Sequence, residues 1–293
     1  MRRGAVATRF CTILRPVHDD RGAIPRPTQD TVALTLPDFP AAFYAVAVFA
    51  VLVTGIAKGA FGQGSGGIAV PLMSMFIAPT EAAGIMLPIL CAMDLFSVHA
   101  YRGRWSREHL AMLLPGALVG IALGAIAFGT LPVNGVRLLL GIISVTFALN
   151  QWFRFSERIA ARFVAARGRP GAAAGAFWGT VSGFTSTLAH AGGPPFAIYM
   201  LACRIDKTTF VATSAIFFLI VNYVKLVPYY FLGQLNVGNL TTALLFSPLV
   251  PVGVWLGVYL HKTVSQRTFY NLSYSLLLAT GVKLIWDALA ATH

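Results

Sequence analysis

Long apolar runs separated by short polar or basic segments make up the chain from residue 40 onward. Two of these runs, 110–131 and 238–260, contain no Asp, Glu, Lys or Arg. Each has at least the roughly 20 residues that a helix needs to cross about 30 Å of hydrocarbon. Because a bilayer offers no water to backbone N–H and C=O groups, apolar runs of this length predict transmembrane helices.

Composition indicates the same class of protein. Of the 293 residues, 57% are hydrophobic and 11% are charged, whereas soluble domains carry about 25% charged residues. The formal charge of +12 does not predict a nucleic-acid partner, because most Lys and Arg lie in the N-terminal segment or between apolar runs, as membrane topology requires. We therefore predict an all-α polytopic membrane protein whose surroundings are the lipid bilayer.

Residues 1–39 differ from the rest of the chain, since they are rich in Arg and Pro and contain no apolar run. We predict that they form a basic, disordered N-terminal tail, and we assign them no function. The remainder divides into a first membrane repeat (40–153), a basic cytoplasmic linker (154–170) and a second membrane repeat (171–293).

The two repeats match at ordered positions along their sequences. Gly55 and Gly59 correspond to Gly179 and Gly183, and Asp94 corresponds to Asn222. Further matched positions, first repeat before second, are Gly66-Gly67 and Gly192-Gly193, Ser97 and Lys225, Tyr101 and Tyr229, Pro115 and Pro248, Gly120 and Gly253, and Gly124 and Gly257. Matches that keep their order through both halves indicate an internal repeat.

Each repeat begins with an apolar stretch that is interrupted by helix-breaking residues. The first break is the glycine-rich segment 62–67, and the second is 191–195, which reads Ala-Gly-Gly-Pro-Pro. Gly and Pro are poorly compatible with a continuous helix, and the segments that follow are too short to span a bilayer. We therefore predict a re-entrant hairpin in each repeat, followed by three transmembrane helices, at 82–101, 110–130 and 135–153, and at 208–231, 238–260 and 268–289.

If both interrupted segments turn back as hairpins, the two repeats have inverted orientations in the membrane. The basic loops 102–109, 154–170, 204–207 and 261–267 then all face the cytoplasm, as the positive-inside rule requires. An inverted repeat is therefore the predicted topology.

Broken helices at matching places in two repeats are typical of a transporter's substrate site. Short helices that begin after the two Gly-Gly pairs would direct free N–H groups and the positive end of the helix dipole at an anion. The alternative is that the glycines only allow close helix packing. We favour packing for Gly120, Gly124, Gly253 and Gly257, and a binding site for the two breaks.

The phrase Ser182-Gly183-Phe184-Thr185-Ser186-Thr187-Leu188-Ala189-His190-Ala191-Gly192-Gly193-Pro194-Pro195, with the two repeats and their breaks, resembles the TauE/SafE sulfite exporter family. The resemblance implies a multi-pass carrier of sulfite, sulfonates or related sulfur oxyanions in the plasma (inner) membrane of a bacterium, working outward. The three-glycine run common in that family reads Ser65-Gly66-Gly67 and Ala191-Gly192-Gly193 here, a departure that bears on the substrate more than on the fold.

Ionisable residues within apolar spans are costly and therefore become candidates for function. Each repeat contains one such lysine, Lys58 or Lys225, which would either neutralise an anion or extend toward the membrane interface. His190 would either donate a hydrogen bond to the substrate or cap the second break. The predicted substrate-binding residues are Lys58, Gln63, Ser65, Gly66, Gly67, His190, Gly192, Gly193, Asn222 and Lys225.

Asp94 and His99 form a candidate proton route, because carboxylates and imidazoles relay protons in coupled carriers. Asp94 is equally a candidate structural partner for Lys58 or Lys225. The cysteines at 11, 91 and 203 are widely spaced, so we predict buried packing residues for Cys91 and Cys203, and neither a disulfide framework nor a metal site.

Two other classes of function compete with an anion carrier. A membrane-embedded enzyme or a cation carrier would have to use Asp94, His99 and His190, and the chain has no HExxH or GxSxG sequence. It also lacks the GxxxxGK[ST] sequence of a nucleotide-binding loop. We therefore expect a secondary transporter of small anions that is not an enzyme and needs no cofactor, with a homodimer as a candidate assembly.

Overall fold

The computed structural model describes residues 38–61, 67–167, 170–260 and 266–291, and all statements about structure refer to these residues. Within them the chain forms twelve α-helices and no strand, which confirms the predicted all-α class. The helices are α1 (Ala41–Phe61), α2 (Ala69–Met73), α3 (Pro79–Ala100), α4 (Arg107–Thr130), α5 (Val133–Phe153), α6 (Phe155–Arg167), α7 (Ala172–Ala189), α8 (Gly193–Ala202), α9 (Lys207–Phe231), α10 (Val237–Phe246), α11 (Leu249–Leu260) and α12 (Gln266–Ala290). The predicted tail lies almost entirely outside the described residues.

Five of these helices are long and apolar enough to cross a membrane by themselves, namely α1, α3, α4, α5 and α9. The pair α10 and α11 adds a sixth span if the two are counted together. This set confirms a multi-pass membrane protein.

The prediction of one continuous helix over 238–260 was wrong. The chain bends there by 47° between α10 and α11. Pro248 lies at the break and Pro251 just beyond it, and a proline removes one backbone hydrogen bond and clashes with the carbonyl four residues earlier. The matching helix of the first repeat contains only Pro115 and stays continuous.

The segment 154–170 is more than a linker, because most of it is the helix α6. Its composition, rich in Ala and Arg, has high helix propensity. Ser156 and Ala160 are buried on one side, and α6 contacts α8. The segment between the repeats is therefore a packed structural element.

The most extensive helix contacts join one predicted repeat to the other. The pairs in close contact are α1 with α11, α4 with α7, α3 with α9 and α5 with α12. When the repeats are matched in sequence, α1 corresponds to α7 and α11 to the second half of α4, so the first two pairs are equivalent contacts. The repeats are thus interlocked rather than side by side.

Glycines form the surfaces of the two equivalent contacts. A Cβ added at Gly253 would lie 3.2 Å from the Cα of Gly55, and one at Gly124 would lie 2.7 Å from the Cβ of Thr187. Cβ atoms at Gly120 and Gly257 would collide with the backbone carbonyls of Thr180 and Ile56, respectively. These contacts confirm close packing as the role of Gly120, Gly124, Gly253 and Gly257.

The equivalent helices α3 and α9 run antiparallel. Near the start of α3, a Cβ at Gly84 would lie 2.5 Å from the carbonyl oxygen of Gln234, which follows α9. Just after α3, the N–H of Ser106 donates to Thr213 Oγ1, which lies early in α9, at 3.0 Å. Antiparallel packing of equivalent helices supports inverted repeats, and the inversion itself stays a prediction.

Cysteine labelling tests the predicted topology in a background whose three native cysteines are replaced by alanine. Gly171→Cys precedes α7, Asp206→Cys follows α8, and Val237→Cys begins α10. If α7 and α8 form a hairpin, the first two cysteines react with an impermeant maleimide from one side and Val237→Cys from the other. Asp206 caps α9 by accepting from the N–H of Thr209, so its loss costs about 1 kcal/mol. Labelling of Gly171→Cys and Asp206→Cys from opposite faces would rule out the hairpin.

Candidate functional site

The two helix breaks lie against each other. α7 ends at Ala189, and His190 follows in the left-handed conformation with φ 50°. Gly67, the last residue of the first break, has φ 70°, and a Cβ there would be 2.7 Å from the Cβ of Ala191. Only glycine fits such a close approach at positive φ, so Gly67 is required for the contact between the breaks.

After the second break, the chain forms a helix again at the predicted position. α8 begins at Gly193, with Pro194 and Pro195 in its first turn, where the fixed φ of proline suits a helix start. These prolines have no N–H, so Gly193 is the one residue among the first three of α8 that offers a donor. The dipole of α8 is present as predicted, while its set of free donors is smaller than predicted.

The helix that follows the first break is shorter than the one that follows the second. This helix, α2, has only five residues, which is shorter than the sequence indicated. Gln63, Ser65 and Gly66, three of the predicted binding residues, lie outside the described residues.

The Asp94 carboxylate is fully buried and accepts hydrogen bonds from residues of both predicted repeats. Lys58 of α1 forms an ion pair with its Oδ1 and also donates to the carbonyl of Leu90 at 3.4 Å. Asn222 of α9 donates to its Oδ2 at 2.6 Å. Asp94 is therefore a structural partner of Lys58, one of the two predicted roles, and it contacts Asn222, its own counterpart in the second repeat.

Lys225 is fully buried in a separate set of hydrogen bonds. Its ammonium donates to the carbonyl oxygen and to Oγ of Ser186, both at 3.0 Å, and to Nδ1 of His190 at 2.8 Å. An ammonium has three N–H groups, so Lys225 has none left for a ligand. Its predicted part in binding the substrate stays a prediction, and in this structure its ammonium is bonded to Ser186 and His190.

The two ring nitrogens of His190 have defined roles. Nδ1 faces an ammonium, which can only donate, so Nδ1 accepts. Nε2 lies 3.0 Å from the carbonyl oxygen of Ala83, which can only accept, so Nε2 carries the hydrogen. His190 is thus neutral and joins α7 to α3 and α9, which fits the predicted role as a cap of the second break.

A small cavity that is partly open to solvent lies between the breaks. Its polar wall contains Thr54, Lys58, Ser186, His190 and Asn222, with Gly67 and Gly193 at the breaks. The apolar remainder is Ala69, Val70, Met86, Leu90 and Phe218. Five of the predicted binding residues that lie in the described chain thus line one cavity.

Hydrogen bonds already made inside the protein decide which donors remain for a ligand. Lys58 keeps one N–H beyond its bonds to Asp94 and Leu90. Ser186 Oγ accepts from Lys225 and so keeps its own O–H. Asn222 uses one of its two side-chain N–H groups on Asp94. With the N–H of Gly193, these groups form a set of donors suited to an anion.

With both lysines and Asp94 ionised, the described groups of the site carry one net positive charge. Lys58 and Lys225 are both buried and Asp94 is the single carboxylate bonded within the group, while His190 is neutral. The undescribed residues 62–66 contain no ionisable side chain. Lys225 therefore provides positive charge that no carboxylate in the described group offsets.

Besides Asp94 and Lys225, which do not line the cavity, two further predicted residues lie outside its wall. His99 lies on an exposed part of α3 and is not brought into the buried group. Gly192 is buried, with a Cβ position 2.7 Å from Ser182 Oγ, so it serves packing. Cys91 and Cys203 are buried, as predicted.

Ser186 and Thr54 are polar residues of the cavity wall that sequence reasoning missed. Ser186 lies four residues before His190, on the same face of α7, and this spacing was the signal that placed it beside the break. Its neighbour Ser182 is one turn earlier and donates to the carbonyl of Gly192 at 2.8 Å.

A multi-pass membrane protein in which two broken helices meet around a buried, positively charged cavity has the architecture of a membrane transporter for anions. The family model "Sulfite exporter TauE/SafE" matches residues 47–284, and the chain belongs to this family. Members of the family export sulfite and related sulfur anions, so the protein is a membrane anion transporter. No curated protein and no solved structure matches the chain.

The buried ion pair predicts an asymmetric response to mutation. Asp94→Leu leaves the Lys58 ammonium buried without its carboxylate and should lower the free energy of unfolding by about 3–5 kcal/mol. The double variant Lys58→Met/Asp94→Leu should recover most of that loss. The control is Lys283→Met, which removes an exposed pair with Asp287 and should cost less than about 1 kcal/mol. Thermal unfolding in detergent measures all three, and equal effects of Asp94→Leu and Lys283→Met would contradict the prediction.

Proposed function

We propose that the protein exports a small sulfur oxyanion, sulfite or an organosulfonate, across the plasma membrane of a bacterium. The observation that carries the anion part is the presence of two buried lysines and one buried carboxylate beside a cavity whose wall keeps free N–H and O–H donors. The sulfur part and the outward direction are supported by membership of the family alone.

Each remaining donor has a role in this proposal. Lys58, Asn222, Ser186 and Gly193 bind the anion's oxygens, and the dipole of α8 adds positive potential at its N-terminus. Lys225 acts indirectly: it supplies the excess charge and orients the Ser186 hydroxyl so that its hydrogen is directed away from the ammonium. Charge-assisted hydrogen bonds of this kind are stronger than neutral ones.

Movement of the anion requires the two breaks to separate, since Gly67 contacts Ala189 and Ala191 directly. In inverted repeats, rocking of one repeat against the other around a fixed site opens it to each side in turn. The antiparallel pair α3 and α9 is the proposed axis of this motion. A homodimer stays a candidate assembly.

A cation carrier is disfavoured by the same charge balance, because both carboxylate oxygens of Asp94 are already bonded. An enzyme would need an activated nucleophile or a polarised water, and His190 has both ring nitrogens in use. Membership of a transporter family also favours a carrier.

Transport by proteoliposomes tests the proposed function. We expect saturable uptake of labelled sulfite or sulfoacetate, abolished by Gly193→Leu, whose side chain would block approach to the α8 N-terminus. Saturable transport of a cation with no response to any oxyanion would contradict the proposal.

The role of Lys225 is tested by Lys225→Met, which retains an aliphatic chain of similar length without the charge. With about 332/(εr) kcal/mol between unit charges and an effective ε near 20, binding should weaken at least about thirtyfold. Ser186→Ala should weaken it roughly tenfold, the loss of one charge-assisted bond. The matched control is Ser144→Ala, a buried serine bonded to Leu140 within α5. Thermal stabilisation by added ligand measures binding, and normal binding by Lys225→Met would show that the charge is structural only.

Proton coupling is a separate part of the proposal. We propose that it uses Asp94 and does not involve His99. An anion that takes Lys58 N–H bonds leaves the Asp94 carboxylate less compensated, which favours uptake of a proton there. A pH gradient should then accelerate anion uptake by the wild-type protein at zero membrane potential, and Asp94→Asn should remove this acceleration. A wild-type rate indifferent to the gradient would leave Asp94 with its structural role alone.

A further inference from the structure

We infer that α6 binds the headgroups of anionic phospholipids at the membrane surface, through the helix face that carries Phe155, Arg158, Ile159 and Arg162. Four observations support this inference: the place where α6 begins, the fixed orientation of the helix, the residues on its outward face, and the charges on that face. The inference goes beyond the proposed function, since it concerns a surface far from the question of which anion is transported.

The start of α6 lies at the end of a membrane span. α5, which ends at Phe153, is one of the five helices able to cross a membrane by themselves. Arg154 follows in the left-handed conformation, with φ 53°, and α6 begins at Phe155. A helix of 13 residues with four charged side chains is too short and too polar to cross the hydrocarbon. α6 therefore lies next to the membrane boundary.

Hydrogen bonds to Asn150 of α5 determine which face of α6 points inward. The side-chain oxygen of Asn150 accepts from the N–H of Ser156 at 2.7 Å and from its hydroxyl at 2.8 Å. Ser156 and Ala160, one turn apart, are buried, and α6 packs against α8. The other side of the helix is therefore held outward.

The outward face carries two apolar and two basic side chains. Phe155 and Ile159 are 43% and 41% exposed. Arg158 and Arg162 are also exposed, and spacings of three and four residues make all four side chains neighbours on the helix surface. Phe155 stacks on Phe153, the exposed last residue of α5, with ring centroids 5.5 Å apart. Apolar side chains beside basic ones are typical of a helix that lies in the plane of the membrane interface.

The two arginines on this face have no carboxylate to offset them. Glu157, the single acidic residue of α6, pairs with Arg154. Within the described chain no carboxylate pairs with Arg158 or Arg162. Like charges one turn apart destabilise a helix, whereas a phosphate group between them would accept charge-assisted hydrogen bonds from both guanidinium groups. The charge of this face is therefore complementary to a phosphate.

A phospholipid fits both the basic and the apolar part of the face. Arginine stems extend along apolar surface while the guanidinium groups reach the level of the phosphates, and the acyl chains cover Phe155 and Ile159. A free inorganic anion would leave these apolar side chains uncovered. The predicted topology places α6 on the cytoplasmic side, where anionic lipids give the membrane surface a negative potential.

Thermal unfolding of the full-length protein, purified in detergent and freed of lipid, tests this site. A ligand that binds the folded protein stabilises it according to its concentration relative to Kd. We expect phosphatidylglycerol to stabilise the protein at lower concentrations than phosphatidylcholine, and added salt to reduce this difference. Arg158→Gln/Arg162→Gln should weaken phosphatidylglycerol binding roughly 25-fold, because each basic side chain near an anionic surface contributes about fivefold.

The matched control removes two other exposed arginines from the same predicted side of the membrane. Arg102→Gln/Arg104→Gln changes the loop after α3 and should keep the wild-type preference for phosphatidylglycerol. Equal loss of the preference in the two double variants would show that the lipid responds to overall charge and that α6 has no site. Stabilisation by inorganic phosphate at the same concentrations as phosphatidylglycerol would show that the face binds a free anion instead of a lipid.

Trp152, which is 42% exposed beside this face, reports where the lipid lies. In phosphatidylcholine nanodiscs, phosphatidylglycerol with brominated acyl chains is added at a low mole fraction, and bromine quenches the tryptophans that it contacts. The fluorescence lost in Trp152→Phe is the signal of Trp152. We expect brominated phosphatidylglycerol to quench this signal more than brominated phosphatidylcholine does, and Arg158→Gln/Arg162→Gln to remove the difference. Equal quenching by the two lipids would contradict the assignment to α6, whatever the transport assays show.

Discussion

The carboxylate of Asp94 connects the parts of this protein that define its cavity. One oxygen pairs with Lys58 of the broken helix α1, and the other accepts from Asn222 of α9, in the opposite repeat. A charge at this depth is stable only with such partners, so the positions of α1, α3 and α9 are fixed relative to one another. The same bonds fix where Lys58 and Asn222 present their remaining N–H groups.

A second constraint applies at the breaks. In a bilayer every backbone N–H and C=O group needs a hydrogen-bond partner within the protein. The end of α7 meets this need locally: the N–H of His190 donates to Ser186, the N–H of Ala191 donates to Thr185, and Ser182 bonds the carbonyl of Gly192. Tyr229 donates to the carbonyl of Thr187 at 2.6 Å. Backbone carbonyls of α7 and the hydroxyls of Ser182 and Tyr229 thus satisfy the polar groups at the end of this helix, which leaves the adjacent space available to a ligand.

Apolar length was sufficient to predict the class and the positions of most helices, and the internal repeat stays a prediction. The bend at 247–248 was missed because the match of Pro248 with Pro115 gave no weight to the second proline, Pro251. α6 was missed because basic composition was taken to indicate an exposed linker, although the segment has a buried stripe at Ser156 and Ala160.

Residue type predicted which residues lie around the two breaks better than it predicted what each of them bonds to. Lys58, His190, Asn222 and Lys225 do gather around the breaks, as ionisable and polar groups in apolar spans must. Which lysine faces the cavity depends on bonds between helices distant in sequence, and Ser186 was overlooked because a serine within a helix usually bonds its own backbone. His99 was included for its chemistry, although its place at the end of α3 left it exposed.

The balance of charge around the cavity also determines how the proposed export would be driven. If a monoanion crosses alone, each transport event moves one negative charge outward. An inside-negative potential favours this movement by about 2.3 kcal/mol per 100 mV. If Asp94 takes up a proton for each anion, the transfer is electroneutral, and the gradients of anion and proton set its direction. Neither case requires a nucleotide, which agrees with a chain that has no phosphate-binding loop sequence. In the proposed mechanism, the charge of Lys225 would thus link the choice of substrate to the energy source, because it would favour an anion that the potential can move or that one proton can neutralise.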